Sequence, residues 1–240
     1  MSFDKRKSLR CLLIALLLLF ILGSAVAESE EQSTLLAANE LGEFFIPGAG
    51  ERGEVLYRAN GTHYGYEDDY WDGCSHWCSV TSFEQSVETS STLPKQGAYS
   101  YEAAHLLDGL RKTAWVEGVD GYGIGESITI RQKVVISDGE FPLQYTGVCI
   151  VNGYARTEKA WKNNARVEKL ALYMNDQYLC TLLLADERKP QYFDLSSMNL
   201  SVDSGKETVF KLVIEDVYAG AKYEDTALTG IVFEFTNVSH

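Results

Sequence analysis

The sequence predicts an all-β sandwich preceded by an N-terminal extension, and three observations predict it. From Ser79 onward, short apolar runs follow one another with turn residues between them. Residues 207–217 (ETVFKLVIEDV) alternate: Val209, Lys211, Val213, Glu215 and Val217 oppose Phe210, Leu212, Ile214 and Asp216, the period of a half-buried strand. Asn175-Asp176-Gln177 separates two apolar runs, as a hairpin turn does.

The first segment is not part of that fold. Residues 4–10 (DKRKSLR) are basic, and an unbroken apolar run spans Cys11 to Leu22. Ala25-Val26-Ala27 then fits a small-x-small cleavage site before the acidic Glu28 to Glu31. That order predicts a secretory signal peptide over 1–27, with an apolar run short of the ~20 residues a spanning helix needs. The expected location is therefore secreted or cell envelope/periplasm, with no membrane insertion after cleavage; retention as an anchor is the alternative. Removing 1–27 takes away four bases and one acid, which leaves 17 bases against 33 acids, a net charge of −16. Such a chain repels phosphate backbones, so nucleic acid is excluded as an expected partner.

Residues 28–71 read as an extension or linker. Leu35 to Phe45 suggests a short helix, broken by PGAGERG at 47–53. YGYEDDYW (64–71) reads as a solvated loop whose rings cover a core edge. Export makes disulfides the natural fate of cysteines, and Cys74 and Cys78, three residues apart around SHW, are expected to close a small loop. A metal knuckle using His76 is the alternative, though no second ligand pair has zinc spacing. Cys149 and Cys180 lie in strand-like runs and are either cross-sheet partners or buried thiols.

Within 72–240 the expected strands are Ser79 to Phe83, Glu126 to Ile136, Tyr145 to Val151, Val167 to Met174, Tyr178 to Leu184, Gln191 to Leu195, Glu207 to Val217 and Gly230 to Phe235. Helical signal is slight: Ser100 is placed to cap YEAAHLL, which ends at Asp108-Gly109. No GxSxG elbow, HExxH, Walker loop or dinucleotide fingerprint occurs, and the four histidines are scattered. Catalysis is not indicated.

One group of motifs goes further. Asp108-Gly109, Thr113-Ala114-Trp115 and Asp120-Gly121-Tyr122, followed by an alternating strand, resemble the discoidin or coagulation factor 5/8 type C module. Downstream, NGYARTEKAWKNNARVEKLALY (152–173), LLLADERKPQYFDL (182–195) and DVYAGAKYEDTAL (216–228) follow in the family's order. With WVEGVDGYGIGE they resemble one subgroup, the NADase-type glycan-binding module. The resemblance covers roughly residues 98–235 and implies a galactose-binding-like jelly roll, with a glycan or cell-surface ligand met by loops at one end. The remaining length offers no NAD-glycohydrolase catalytic domain, so NAD hydrolysis is not implied.

Sugar recognition needs an aromatic face for the ring's C–H surface and planar polar groups for its hydroxyls. The 152–166 segment supplies both types in Asn152, Tyr154, Trp161, Asn163, Asn164 and Arg166. Arg156, Lys159 and Lys162 make it a basic island on an acidic chain. Asp186, Arg188 and Tyr223 in the later motifs complete the candidate ligand set. Each residue has a framework reading as well: Asn152-Gly153 as a turn, Arg166 paired with a carboxylate to pin the loop, Asp186-Glu187-Arg188 holding a second loop. Trp115 precedes an apolar strand and is expected in the core.

The family resemblance also implies a structural Ca²⁺ near Asp108 and Thr113, whose oxygens suit a hard cation. A late-strand Glu commonly completes that site, and Gly230 stands in its place here. A carbohydrate-binding module is the leading expectation. A structural or protein-interaction module would show a flat surface with Trp161 buried and Arg166 ion-paired. A cryptic hydrolase would show a deep polar pocket with a carboxylate pair.

Overall fold

The computed structural model describes residues 35–38, 44–45, 55–57, 63–64, 80–136 and 143–237. The proposed signal segment, the Cys74–Cys78 loop and most of the acidic aromatic run lie outside the described residues.

The strands form two leaves. One runs β10 (Gln177–Leu183), β9 (Ala165–Met174), β13 (Glu207–Tyr218), β7 (Ser127–Ile136), β5 (Val80–Thr89), all neighbours antiparallel. The other sets β8 (Leu143–Asn152) between β14 (Thr226–Asn237) and β11 (Pro190–Asp194), with β12 (Leu200–Ser201) also on β8 and β6 (Trp115–Val116) on β14. A short parallel contact, Thr226↔Ala165 and Ala227↔Arg166, stitches the leaves together at one end. Across the gap, Tyr145 of β8 meets Phe210 of β13 edge-on at 4.8 Å, and Phe210 stacks on Phe233 of β14 at 3.8 Å. This is the jelly-roll sandwich the sequence predicts, with its core between the leaves.

Each predicted strand is present, and alternation accounts for the burial. Phe210, Leu212 and Ile214 are buried while Lys211 and Glu215 are exposed. Strict alternation would drive Asp216 inward, but the β13–β9 register shifts between Ile214 and Val217. Such a bulge re-aims the side chains that follow it. Val217 therefore packs on the core and Asp216 reaches Lys169 at 2.9 Å. Asn175 and Asp176 take φ of 49° and 65°, forming a two-residue turn that pairs Met174 with Gln177, and the Asn175 carboxamide accepts from the Val209 amide.

Two expectations are corrected, and one element is added to them. Leu35 to Phe45 holds strands in place of a helix: β1 (Leu35–Ala37) adds in parallel to β10, and β2 (Phe44–Phe45) joins β3 (Val55–Tyr57) and β4 (His63–Tyr64) in a small sheet. The 35–37 backbone thus finds its hydrogen-bond partners on a sheet edge, which local helical propensity cannot foresee. Ser100 caps nothing: the turn of 3-10 helix at Ala103–Leu107 begins after Glu102, and the Ser100 hydroxyl is buried without a partner among the described residues. A helix the sequence did not announce, α1 (Glu158–Asn163), starts where the Thr157 hydroxyl accepts from the Ala160 amide at 3.1 Å.

Candidate functional site

The stitched end of the sandwich carries three connections that meet: Ser90 to Glu102, Gly153 to Asn164 with α1, and Ala219 to Asp225. Backbone bonds weld them to the leaves, among them Leu93 N–H to Val116 O, Gly153 N–H to Ala227 O and Ala165 N–H to Asp225 O. The Ala219–Asp225 loop sits directly on the end of α1. Its Lys222 and Tyr223 amides both donate to the Asn163 carbonyl, and Ala221 N–H donates to Lys162 O. Gly220 permits this approach, because a Cβ there would lie 2.5 Å from the Asn163 oxygen.

Between these connections opens a cleft of about 510 Å³. Its aromatic wall is Tyr99, Tyr101, Tyr154 and Tyr223; planar amides come from Gln96, Asn163 and Asn164, and charge from Arg156, Lys159 and Asp225. Tyr101 and Tyr154 are nearly buried and meet edge-on at 6.4 Å and 83°. Burial first, then the neighbouring tyrosines and Asp225, push the Tyr101 hydroxyl above its ordinary pKa, so it remains a neutral group at physiological pH. Tyr99 and Tyr223 stand out into solvent, 47% and 41% exposed, so ring surface is available to a ligand. The Arg156 guanidinium lies 5.0 Å from the Tyr99 ring centre.

Of the residues expected to meet a ligand, Tyr154, Asn164 and Tyr223 line the cleft. Asn152, Trp161, Arg166, Asp186 and Arg188 do not line it; they build its floor and supports. Asn152 is fully buried, its carboxamide donating to Val167 O at 2.7 Å and accepting from Val167 N–H at 3.0 Å. Trp161 is 7% exposed and donates from Nε1 to the Asn152 carbonyl. Arg166 lies 4.7 Å from the Trp161 ring centre, forks onto Asp186 at 2.9 and 2.8 Å, and gives its remaining nitrogen to Asn164 O and Ala219 O. Arg188 donates to Ala155 O at 2.9 Å. Gly153, at φ +72°, fits against Arg166 and Trp161 where a Cβ would lie 2.6 Å from both side chains. Arg166 is ion-paired with Asp186, as its framework reading has it, whereas Asn152 ends β8 and Gly153 bridges to Leu228, so the pair does not form the expected turn.

Tyr99, Tyr101 and Gln96 were not foreseen as site residues. Their one signal is the Tyr99-Ser100-Tyr101 pair of rings in a loop without periodicity. Trp115 is buried as expected and donates from Nε1 to Ser91 O. Behind the cleft, the buried Glu117 carboxylate accepts from Val119 N–H at 2.8 Å and Thr226 N–H at 3.1 Å, clamping the Asp120-Gly121 turn to the start of β14.

The side chains at the expected Ca²⁺ site, Asp108 and Thr113, are engaged with the chain itself. Asp108 is the carboxylate of its loop, and both of its oxygens already serve the chain: Oδ1 takes the Leu110 amide, Oδ2 takes the Thr113 hydroxyl at 2.8 Å and the His105 ring at 3.1 Å. Among the described residues no group of three His, Cys, Asp or Glu side chains converges anywhere, whereas Ca²⁺ takes six to eight oxygens, several of them charged. Asp108 and Thr113 close their loop by bonding each other. The cleft, for its part, offers Asp225 as its single lining carboxylate, so the pair that acid–base glycoside chemistry needs is not among its lining residues. No described helix is long and apolar enough to cross a membrane.

No curated protein matches the chain. Similar solved structures include the arabinofuranosyltransferase AftD of Mycobacteria, at 14% identity and a TM-score of 0.40 over 66% of this chain and 11% of that one. They also include the family 32 carbohydrate-binding module of EndoD from Streptococcus pneumoniae, at 11% identity and a TM-score of 0.39 over 62% and 94%. A family model matches residues 76–234, which hold every strand of the sandwich except β1 and the last three residues of β14. It describes a translocation domain rather than a catalytic one. The chain belongs to the NAD glycohydrolase translocation F5/8 type C domain family.

Proposed function

We propose that the chain is a secreted or envelope-located, non-catalytic module that binds carbohydrate in the tyrosine-walled cleft. The observation that carries this reading is the lining itself. Partly exposed Tyr99 and Tyr223 supply ring faces, and Gln96, Asn163 and Asn164 supply paired donors and acceptors over about 510 Å³. That is the combination a pyranose ring asks for, apolar on its C–H face and polar around its rim. The supports are hydrogen-bonded and buried, which favours a cleft formed before binding.

A second reading, a protein-interaction module without sugar affinity, has its own support. Trp161 is buried and Arg166 is ion-paired, as that reading requires. The surface beside them is concave, however, and a flat interface was its third requirement.

A glycan array probed with the secreted chain, alongside Tyr223→Ala and Asn164→Ala, tests the proposal. Saccharide binding that weakens tenfold or more in both variants, with their folds intact, is the expected result. A folded chain that binds no saccharide, or binding indifferent to both substitutions, overturns it.

A further inference from the structure

Charge in the cleft is distributed against the character of the chain. The protein carries 34 acids to 21 bases, and several of its cations hold a carboxylate: Arg131 with Glu207, Lys162 with Glu158, Lys169 with Asp216, Lys206 with Asp203; Lys222 sits on the Tyr223 ring instead. Arg156 and Lys159 do not. Among the described residues Arg156 contacts the Tyr99 ring and the Tyr154 side chain, and Lys159 has no ion pair, although Glu158 is its chain neighbour. Glu158 is taken by Lys162, one turn further along α1 and outside the cleft lining. The one lining carboxylate, Asp225, belongs to the opposite loop and forms no ion pair with either cation. A guanidinium that lines a cleft and lies over a tyrosine face can receive a carboxylate or sulfate on the donors its neighbours leave.

Resting on the carbohydrate reading above, we infer that the cleft selects saccharides bearing an anionic group, which Arg156 and Lys159 hold while the tyrosines take the ring. Asp225 accepts from neutral hydroxyls of the same ligand. The net negative field of the chain works against long-range capture of such a ligand, so selection arises at short range, from donors that reach the anion directly.

The test measures binding of the secreted chain to matched saccharide pairs: a sialylated glycan and its desialylated parent, a uronic-acid oligosaccharide and its reduced neutral form, a sulfated and an unsulfated sugar. An acidic-over-neutral preference of about tenfold is expected, the gain typical of one charge-assisted hydrogen bond. In the double variant Arg156→Gln, Lys159→Gln the ratio falls to near one; in Lys162→Gln it does not change. The carboxylate and sulfate arms identify which anion is preferred. Equal binding of acidic and neutral members, or a preference that survives the double variant, overturns the inference and leaves the carbohydrate reading standing. Failure of the folded chain to bind any member overturns both.

Discussion

Arg166 and Asp186 are joined by two parallel hydrogen bonds, Nε to Oδ1 at 2.9 Å and Nη2 to Oδ2 at 2.8 Å, with the arginine side chain 8% exposed. The same guanidinium bonds the carbonyls of Asn164 and Ala219 and covers the Trp161 ring. One side chain therefore fixes the exit of α1, the Ala219–Asp225 loop and the Asp186 loop to each other. A lysine ammonium cannot reproduce the fork. Arg166→Lys should destabilise the fold by about 2–4 kcal/mol, since it strands buried carbonyls as well as the carboxylate. Asp186→Asn should cost less, because Asp186 is 40% exposed and its charge is partly screened by water. Urea titrations of the two variants check the order; a lysine variant as stable as the parent would contradict it.

Gly220 is the point where the Ala219–Asp225 loop meets α1. A methyl group there runs into the carbonyls of Tyr223 and Asn163, both backbone atoms, so no side chain can swing aside. Gly220→Ala should push the loop off α1, displace Tyr223 and Asp225, and destabilise the protein by about 1–3 kcal/mol. Saccharide binding should fall more than stability does, because the loop forms one wall of the cleft. Paired binding and thermal-melt measurements distinguish the outcomes, and undiminished binding would show that this wall is not used.

The sequence was informative where physical constraint is local and silent where it is tertiary. Alternation in 207–217 located β13, and Asn175-Asp176 located a turn, because strand period and positive φ leave their mark on adjacent residues. The bulge that turns Asp216 outward leaves no such mark; it exists only in the pairing with β9. Six residues of α1 with one buried side chain, Trp161, are too few to show a helical period. The candidate site was legible by segment but not by residue. Asn, Trp and Arg suit a sugar and a buried bracket equally well, and only their position relative to the cleft separates Tyr154 and Asn164, which line it, from Asn152, Trp161 and Arg166, which do not. Tyr99 and Tyr101 reach the cleft through a loop outside the motif blocks, so nothing in the primary structure attached them to it.

Glu117 gives the fold a pH dependence of defined sign. Desolvation raises its pKa above the ordinary 4.5 and outweighs the lowering effect of the Val119 and Thr226 amides; Asp225 and Glu126 add to the rise. A carboxyl whose folded pKa is raised contributes stability that is complete below its unfolded pKa and lost as pH climbs through the folded one. Glu117→Gln removes that titration while surrendering one of two acceptors. The stability difference, parent minus variant, should therefore be largest near pH 4 and shrink toward pH 7. Denaturant titrations at both values read it directly, and a difference that grows with pH would reverse the assignment.

Cys149 and Cys180 are both free and buried, on opposite leaves: Cys149 in β8 and Cys180 in β10, of which only Cys180 belongs to the central core cluster. Burial lifts the Cys180 thiol to about 11, and burial with the nearby Glu234 charge lifts Cys149 well above its usual value. The thiolate is the nucleophile, so both residues should be inert at neutral pH while the sandwich is intact. Iodoacetamide followed by mass spectrometry should leave peptides 149 and 180 unmodified in the native protein and alkylate both after unfolding in guanidinium. Because Cys149 lies between the core residues Val148 and Ile150 and so faces away from the core that holds Cys180, the two thiols should also stay unlinked under mild oxidation. A Cys149–Cys180 disulfide in the native protein would require the leaves to pack differently from the arrangement fixed by Tyr145, Phe210 and Phe233.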